Sequence, residues 1–335
     1  MGWTDLFKSK KSVELKPDPR IRWFGKLPTY ADYYTSPTDA EWATEFNEWV
    51  MKGYEVYHAR EQARVSQNDG GARPGTDRLP LAGTVLRLPK SGMTVLATIQ
   101  DYGGDMRGRH FPICFYVGFP TGAWPAPESG GIAPALDTVD ALMKLRDDVD
   151  AFFRAPGRFD SRFGERDLDL SGFADSRSDE SWRRSARSIP MTDWFNAVRP
   201  VLKIDELGLW CAAVRKWGQG ISAHDGGGFE PTFRFPLALT FSINAQIAGW
   251  VRWLERRMNL KSRFLSMTFA TDGKEGVGYF SVIARPPVPE DFILITAQAS
   301  SLAYLDDLIG LNGASDSDRH PEAMPTSFDE FTEQG

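Results

Sequence analysis

Two short stretches set charged and aromatic side chains beside turn-forming glycine and proline. Phe24-Gly25-Lys26-Leu27-Pro28 leaves an apolar, strand-like run through a Gly-x-x-Pro turn, and Tyr30-Ala31-Asp32-Tyr33-Tyr34 follows at once. Gly25 permits a positive φ or a close backbone approach, and Pro28 prevents the strand from continuing. One reading is a tight structural turn in which Asp32 accepts hydrogen bonds from nearby backbone N–H groups. The other is a presented binding loop, with Lys26 and Asp32 as polar contacts and the tyrosines, Tyr30, Tyr33 and Tyr34, as amphipathic anchors. The second stretch, Asp105-Met106-Arg107-Gly108-Arg109-His110-Phe111-Pro112, ends a glycine-containing loop and enters an apolar strand. Arg109 can pair with Asp105 or with Asp32, which would tie both motifs into one structural knot. Alternatively, Arg107 and Arg109 recognise a carboxylate or phosphate on a partner surface.

Catalytic patterns are weaker. His224-Asp225-Gly226-Gly227-Gly228 has the letters of a lipase oxyanion loop, but the chain contains no Gly-x-Ser-x-Gly elbow to supply a nucleophile. Asp225-Gly226 alone cannot make a binuclear metal site, which needs further carboxylates on strand ends. Gly218-Gln219-Gly220-Ile221-Ser222-Ala223 spells a dinucleotide fingerprint, yet it follows a helical stretch and leads into a glycine turn, so a pyrophosphate would have no helix N-terminus to sit on. The four histidines are dispersed and Cys114 and Cys211 sit among apolar neighbours, which argues against structural zinc and for buried thiols. The expectation is no catalytic residues, no metal, no cofactor and no small-molecule substrate. A hydrolase centred on His224–Gly228 is the second reading.

The 335 residues, 41% hydrophobic and 25% charged, belong to an ordinary globular chain. A net charge of -6 without a basic stripe gives little reason to expect nucleic acid. The most apolar window, Phe235 to Val251, is interrupted by Thr240, Ser242, Asn244 and Gln246, so no membrane insertion is expected. Met1 to Asp5 shows no basic stretch leading into an apolar run, and a cytoplasmic location is expected.

The elements that must hold these motifs follow from periodicity. Residues 1–20 read as an arm, and Arg22–Gly25 as a short strand. Ser36-Pro37-Thr38-Asp39 has the form of a capping box opening a helix, with Trp42, Phe46, Trp49, Val50, Gly53 and Tyr57 on one face. Strands are predicted over 84–88, 94–99, 112–119, 232–241, 264–270, 278–284 and 292–296. Helices are predicted around 139–153, 192–198, 206–217, 246–257 and 300–308. Residues 156–190 mix both charge signs and read as a polar linker or insertion, and 313–335 as an acidic disordered tail. Short connections favour a largely antiparallel α+β arrangement, either one large unit or two similar packed modules over 21–155 and 191–312. Eleven Trp and 22 Phe suit a large core, with a protein–protein face as the alternative.

Phe24-Gly25-Lys26-Leu27-Pro28 followed by Asp32, the tryptophan-bearing helix with Trp42 and Trp49, and Gly108-Arg109-His110-Phe111-Pro112 together resemble the TagF (ImpM) family of type VI secretion-associated proteins. A looser match is Ser266–Gly273 with the later turn Arg285-Pro286-Pro287. Ala31 stands where the family usually has Gly, and Tyr33 where it usually has Phe. The resemblance implies a non-enzymatic cytoplasmic protein that restrains type VI secretion assembly after translation, contacting an FHA-domain scaffold and with it the sheath machinery. A stoichiometric structural part of the secretion apparatus is a further alternative. The partner-binding residues expected are Lys26, Asp32, Tyr33, Arg107 and Arg109, framed by Phe24, Gly25, Leu27, Pro28, Gly108, Phe111 and Pro112.

Overall fold

The computed structural model describes residues 17–37, 39–67, 79–121, 132–153, 167–168, 177–223, 232–258, 266–271, 276–296, 305–307 and 324–334. Over the described residues it is an α+β fold built on a nine-stranded sheet. The strands are β1 (Asp18–Gly25), β2 (Tyr34–Thr35), β3 (Ala82–Leu88), β4 (Met93–Gln100), β5 (Ile113–Pro120), β6 (Thr232–Ala238), β7 (Ser266–Ala270), β8 (Val277–Ile283) and β9 (Leu305–Asp307). Their spatial order is β2-β1-β5-β4-β3-β7-β8-β6-β9. Every pairing is antiparallel except β6 with β9. The seam between early and late strands is β3 with β7, in the register Ala82↔Ala270 to Val85↔Met267.

The helices are α1 (Glu41–Gln67), α2 (Ala133–Phe153), α3 (Arg177–Arg187), α4 (Met191–Val198), α5 (Leu207–Ala223), α6 (Ile243–Met258) and α7 (Phe328–Gln334). Side chains alternate across a strand, so each central strand feeds two cores. Cys114 and Tyr116 of β5 join α1 and Phe292–Ile295, whereas Ile113, Phe115 and Val117 join the layer of α2 to α7. Burial on both faces explains why the strands read as continuous apolar runs. The Trp42 stripe lies in this core, as its spacing predicted, and Gly53 lets α1 approach so closely that a Cβ there would sit 2.5 Å from the Phe292 Cβ. Glu45 ties the same helix to the β3–β4 turn by accepting the Lys90 and Ser91 N–H groups at 3.1 and 3.0 Å.

Several expectations are corrected. α1 begins at Glu41, so Ser36 does not cap it; its Oγ accepts the Trp23 N–H at 3.2 Å and its own N–H donates to the Trp23 carbonyl at 2.9 Å. Satisfying a buried strand edge outweighs capping there. Residues 292–296 are not a strand: Pro289–Ile295 is a 3-10 segment, locked by a bidentate Arg285–Asp291 pair at 2.7 Å. Four consecutive apolar residues cannot distinguish a strand from a buried turn. The 300–308 helix is replaced, where described, by β9. The polar stretch 156–190 contains α3, and the supposed disordered tail contains α7, whose Phe328 and Phe331 are buried. Trp250 and Trp253, by contrast, are wholly buried, as the core reading of the aromatic excess predicts, because α6 lies between sheet and outer helices. Gly218 and Gly220 lie inside α5, where a Cβ on Gly218 would meet Trp253 at 2.7 Å, so that glycine serves helix packing. His224–Gly228 and residues 1–16 of the predicted arm lie outside the described residues, whereas Asp18–Arg20 of that arm belong to β1, paired with β5.

Candidate interaction site

The two turn motifs meet because β1 and β5 are neighbours in the sheet, with Phe24 opposite Cys114 and Gly25 opposite Ile113. At Gly25, φ is 149° and a Cβ would lie 2.0 Å from the Pro112 carbonyl oxygen, so only glycine lets the chains pass this closely. Leu27 and Phe111 are buried, while Pro28 is half-buried at the exit of the turn.

Asp105 organises the second motif. Its Oδ1 accepts the Arg107 and Arg109 N–H groups at 2.8 and 2.9 Å, and its Oδ2 accepts the Arg109 Nε–H at 2.9 Å. Its carbonyl accepts the Gly108 N–H at 2.8 Å, closing a turn in which Gly108 has φ 74°. Burial alone would raise the Asp105 carboxyl, but the hydrogen bonds from Arg109 and Arg107 and the guanidinium charge outweigh it and hold the group well below the usual carboxylate range.

The knot is therefore real, and Asp105, not Asp32, is its centre. Arg109 crosses to the first motif by donating from a terminal guanidinium N–H to the Ala31 carbonyl at 2.5 Å, and the Met106 N–H donates to the Tyr30 carbonyl at 3.2 Å. Lys26, expected as a contact residue, is buried, 3.5 Å from Asp105 and 4.8 Å from the centre of the Tyr33 ring. Its place is behind the surface. Asp32 is exposed and accepts the Tyr33 N–H at 2.9 Å, the local role the turn reading predicts. Tyr33 lies flat on Phe24 at 5.6 Å and edge-on to Phe111 at 4.9 Å, yet keeps 42% of its surface exposed. Its hydroxyl pKa is raised, first by burial and then by the Glu55 carboxylate on α1.

What faces outward is Tyr33, Asp32, Met106, Arg107, Gly108, Arg109 and His110. Met106 is 68% exposed at the tip of the turn, more than any other large apolar residue described. Met106 is not among the contact residues expected from the motifs, and its one signal in the sequence is an unbranched apolar residue between Asp105 and Arg107 in a polar turn. Among the described residues no group of three or more His, Cys, Asp or Glu side chains is placed to hold a metal ion. Among them, too, no helix is long and apolar enough to cross a membrane.

No protein-family model matches the sequence, and no curated protein is significantly similar to it. Among solved structures, PA0076 from Pseudomonas aeruginosa PAO1 is similar at a TM-score of 0.30 and 15% identity, over 48% of this chain and 77% of that one.

Proposed function

We propose that this protein is a non-enzymatic regulator of type VI secretion assembly that works in the cytoplasm by holding a protein partner, an FHA-domain scaffold or a sheath-associated component. The contact surface in this reading is the rim of Tyr33, Met106, Arg107 and Arg109. The observation that carries it is the Asp105 turn: a buried carboxylate with three N–H donors holds an exposed methionine and two arginines in one fixed arrangement. A loop ordered before binding loses little conformational entropy on association. The motif resemblance around residues 24–34 and 108–112 supplies the partner class. Holding the partner there would withhold it from assembly.

The test is a pull-down from native cytosol with the intact protein and a Met106→Asp/Arg107→Glu variant, read by mass spectrometry. Both side chains are exposed, so thermal stability should be unchanged. Recovery of an FHA-domain or sheath-associated protein by the unaltered chain, and its loss with the variant, supports the reading. Equal recovery by both chains rejects this surface.

A further inference from the structure

On the opposite face of the sheet from α1, the segment 324–334 is seated in a groove of the outer helical layer. Two rings anchor it. Phe328 lies 5.0 Å from Trp194 and 5.4 Å from Trp250, and Phe331 lies 5.4 Å from Trp210. Between them Asp329 is buried and shared: Oδ1 accepts from Arg252 at 3.0 Å and Oδ2 from Arg187 at 3.1 Å. Two main-chain bonds align the entry, Met191 N–H to the Thr326 carbonyl at 3.1 Å and Phe328 N–H to the Ile189 carbonyl at 3.0 Å. Arg256 donates to the Thr332 and Glu333 carbonyls at 3.3 and 2.9 Å, closing the far end. Gly249 of α6 makes room, since a Cβ there would stand 2.8 Å from the Phe328 ring.

This is the anatomy of a peptide in a receptor groove. A helix of seven residues does not hold itself together in water, so α7 takes its shape from the groove. The sheet is complete without it. The recognition is also selective: two aromatic slots flank two guanidinium groups, and an occupant without a carboxylate would lose the acceptor that Arg252 and Arg187 share.

We propose that the groove between α3, α4, α5 and α6 is a docking site for a short helix of the pattern Phe-Asp-x-Phe, which Phe328–Phe331 fills in cis as a displaceable plug. A partner helix with the same two rings and the intervening acid competes for it. This assignment is independent of the Asp105 surface.

Two measurements test it, both on the full chain. In native-state hydrogen exchange of the unaltered protein, the amides of 328–334 should exchange at least about tenfold faster than those of β4 and β5, through an opening that leaves the sheet intact. Exchange of both sets together, only through global unfolding, makes the segment an integral part of the core and overturns the proposal. In the second, a fluorescein-labelled peptide of residues 324–334 is titrated into a Phe328→Ala/Phe331→Ala variant. It should bind saturably, bind the unaltered, plugged chain far less, and weaken at least about tenfold when the peptide carries Asp329→Ala. A folded variant that does not bind the peptide overturns the proposal, and if the variant does not fold, the exchange measurement decides alone.

Discussion

Lys26 Nζ and Asp105 Oδ2 face each other at 3.5 Å with both side chains shut away from solvent. Each charge is tolerable inside because the other is there, and because Asp105 also satisfies Arg107 and Arg109. Asp105→Asn keeps the shape and removes the charge, leaving Lys26 buried against a neutral amide. The expected result is a fall in Tm of about 5 °C or more at neutral pH, measured by differential scanning fluorimetry. The pH dependence follows from the depressed pKa of Asp105. A carboxylate whose folded pKa lies below its unfolded value stabilises above the unfolded pKa and loses that contribution as pH falls through the folded one. The gap between the two proteins should therefore be constant from about pH 5 to 8 and shrink below about pH 4. A gap that widens in acid would contradict the assignment.

Gly25 and Gly108 both have positive φ, but their surroundings differ. A Cβ at Gly25 would collide with the Pro112 carbonyl, whereas one at Gly108 meets nothing within 4 Å. Gly108→Ala should cost only the conformational term, about 1–2 kcal/mol in urea denaturation. Gly25→Ala must also push β1 from β5 and should cost clearly more. Equal losses would mean that the β1–β5 approach is looser than described.

Gln246 is buried, and it accepts the Trp194 Nε1–H at 2.7 Å and the Ala238 N–H at 2.8 Å while donating to the Ala238 carbonyl at 2.9 Å. It thereby closes the end of β6 and holds the tryptophan cluster. Gln246→Ala strands buried donors at both places and should destabilise by about 2–4 kcal/mol, with a change in tryptophan emission. A loss under about 1 kcal/mol would show that these groups find other partners.

Both cysteines are buried, and burial pushes the Cys211 thiol up to about 12 and Cys114 higher still. The thiolate is the reactive form, so neither should react with DTNB at pH 8 in the native protein, at a rate at least about 100-fold below that in denaturant. Reaction of one thiol under native conditions would mark a local opening at that strand or helix.

The motifs that matter were legible because glycine, proline and charge mark turns locally. Gly25, Pro28 and Gly108 mark chain reversals, and the spacing of Arg109 and Asp105 allows them to pair. Which partner Arg109 takes, and that Lys26 turns inward, could not be read, since both depend on residues about 80 positions away meeting across β1 and β5. α7 was missed for a related reason. Its seven residues are polar in composition, and only two rings and an acid gain their meaning from the groove that receives them.

The α+β class, the aromatic face of α1, most strands and the turn positions follow from local pattern, because each depends on side-chain period and backbone freedom within a few residues. Long-range packing sets the rest: early and late strands join in one sheet through β3 and β7, Phe292–Ile295 is a buried 3-10 turn, and Asp105 binds Lys26 and Arg109 together. Those outcomes rest on burial and on charge compensation between distant segments, and neither quantity exists until the chain has packed.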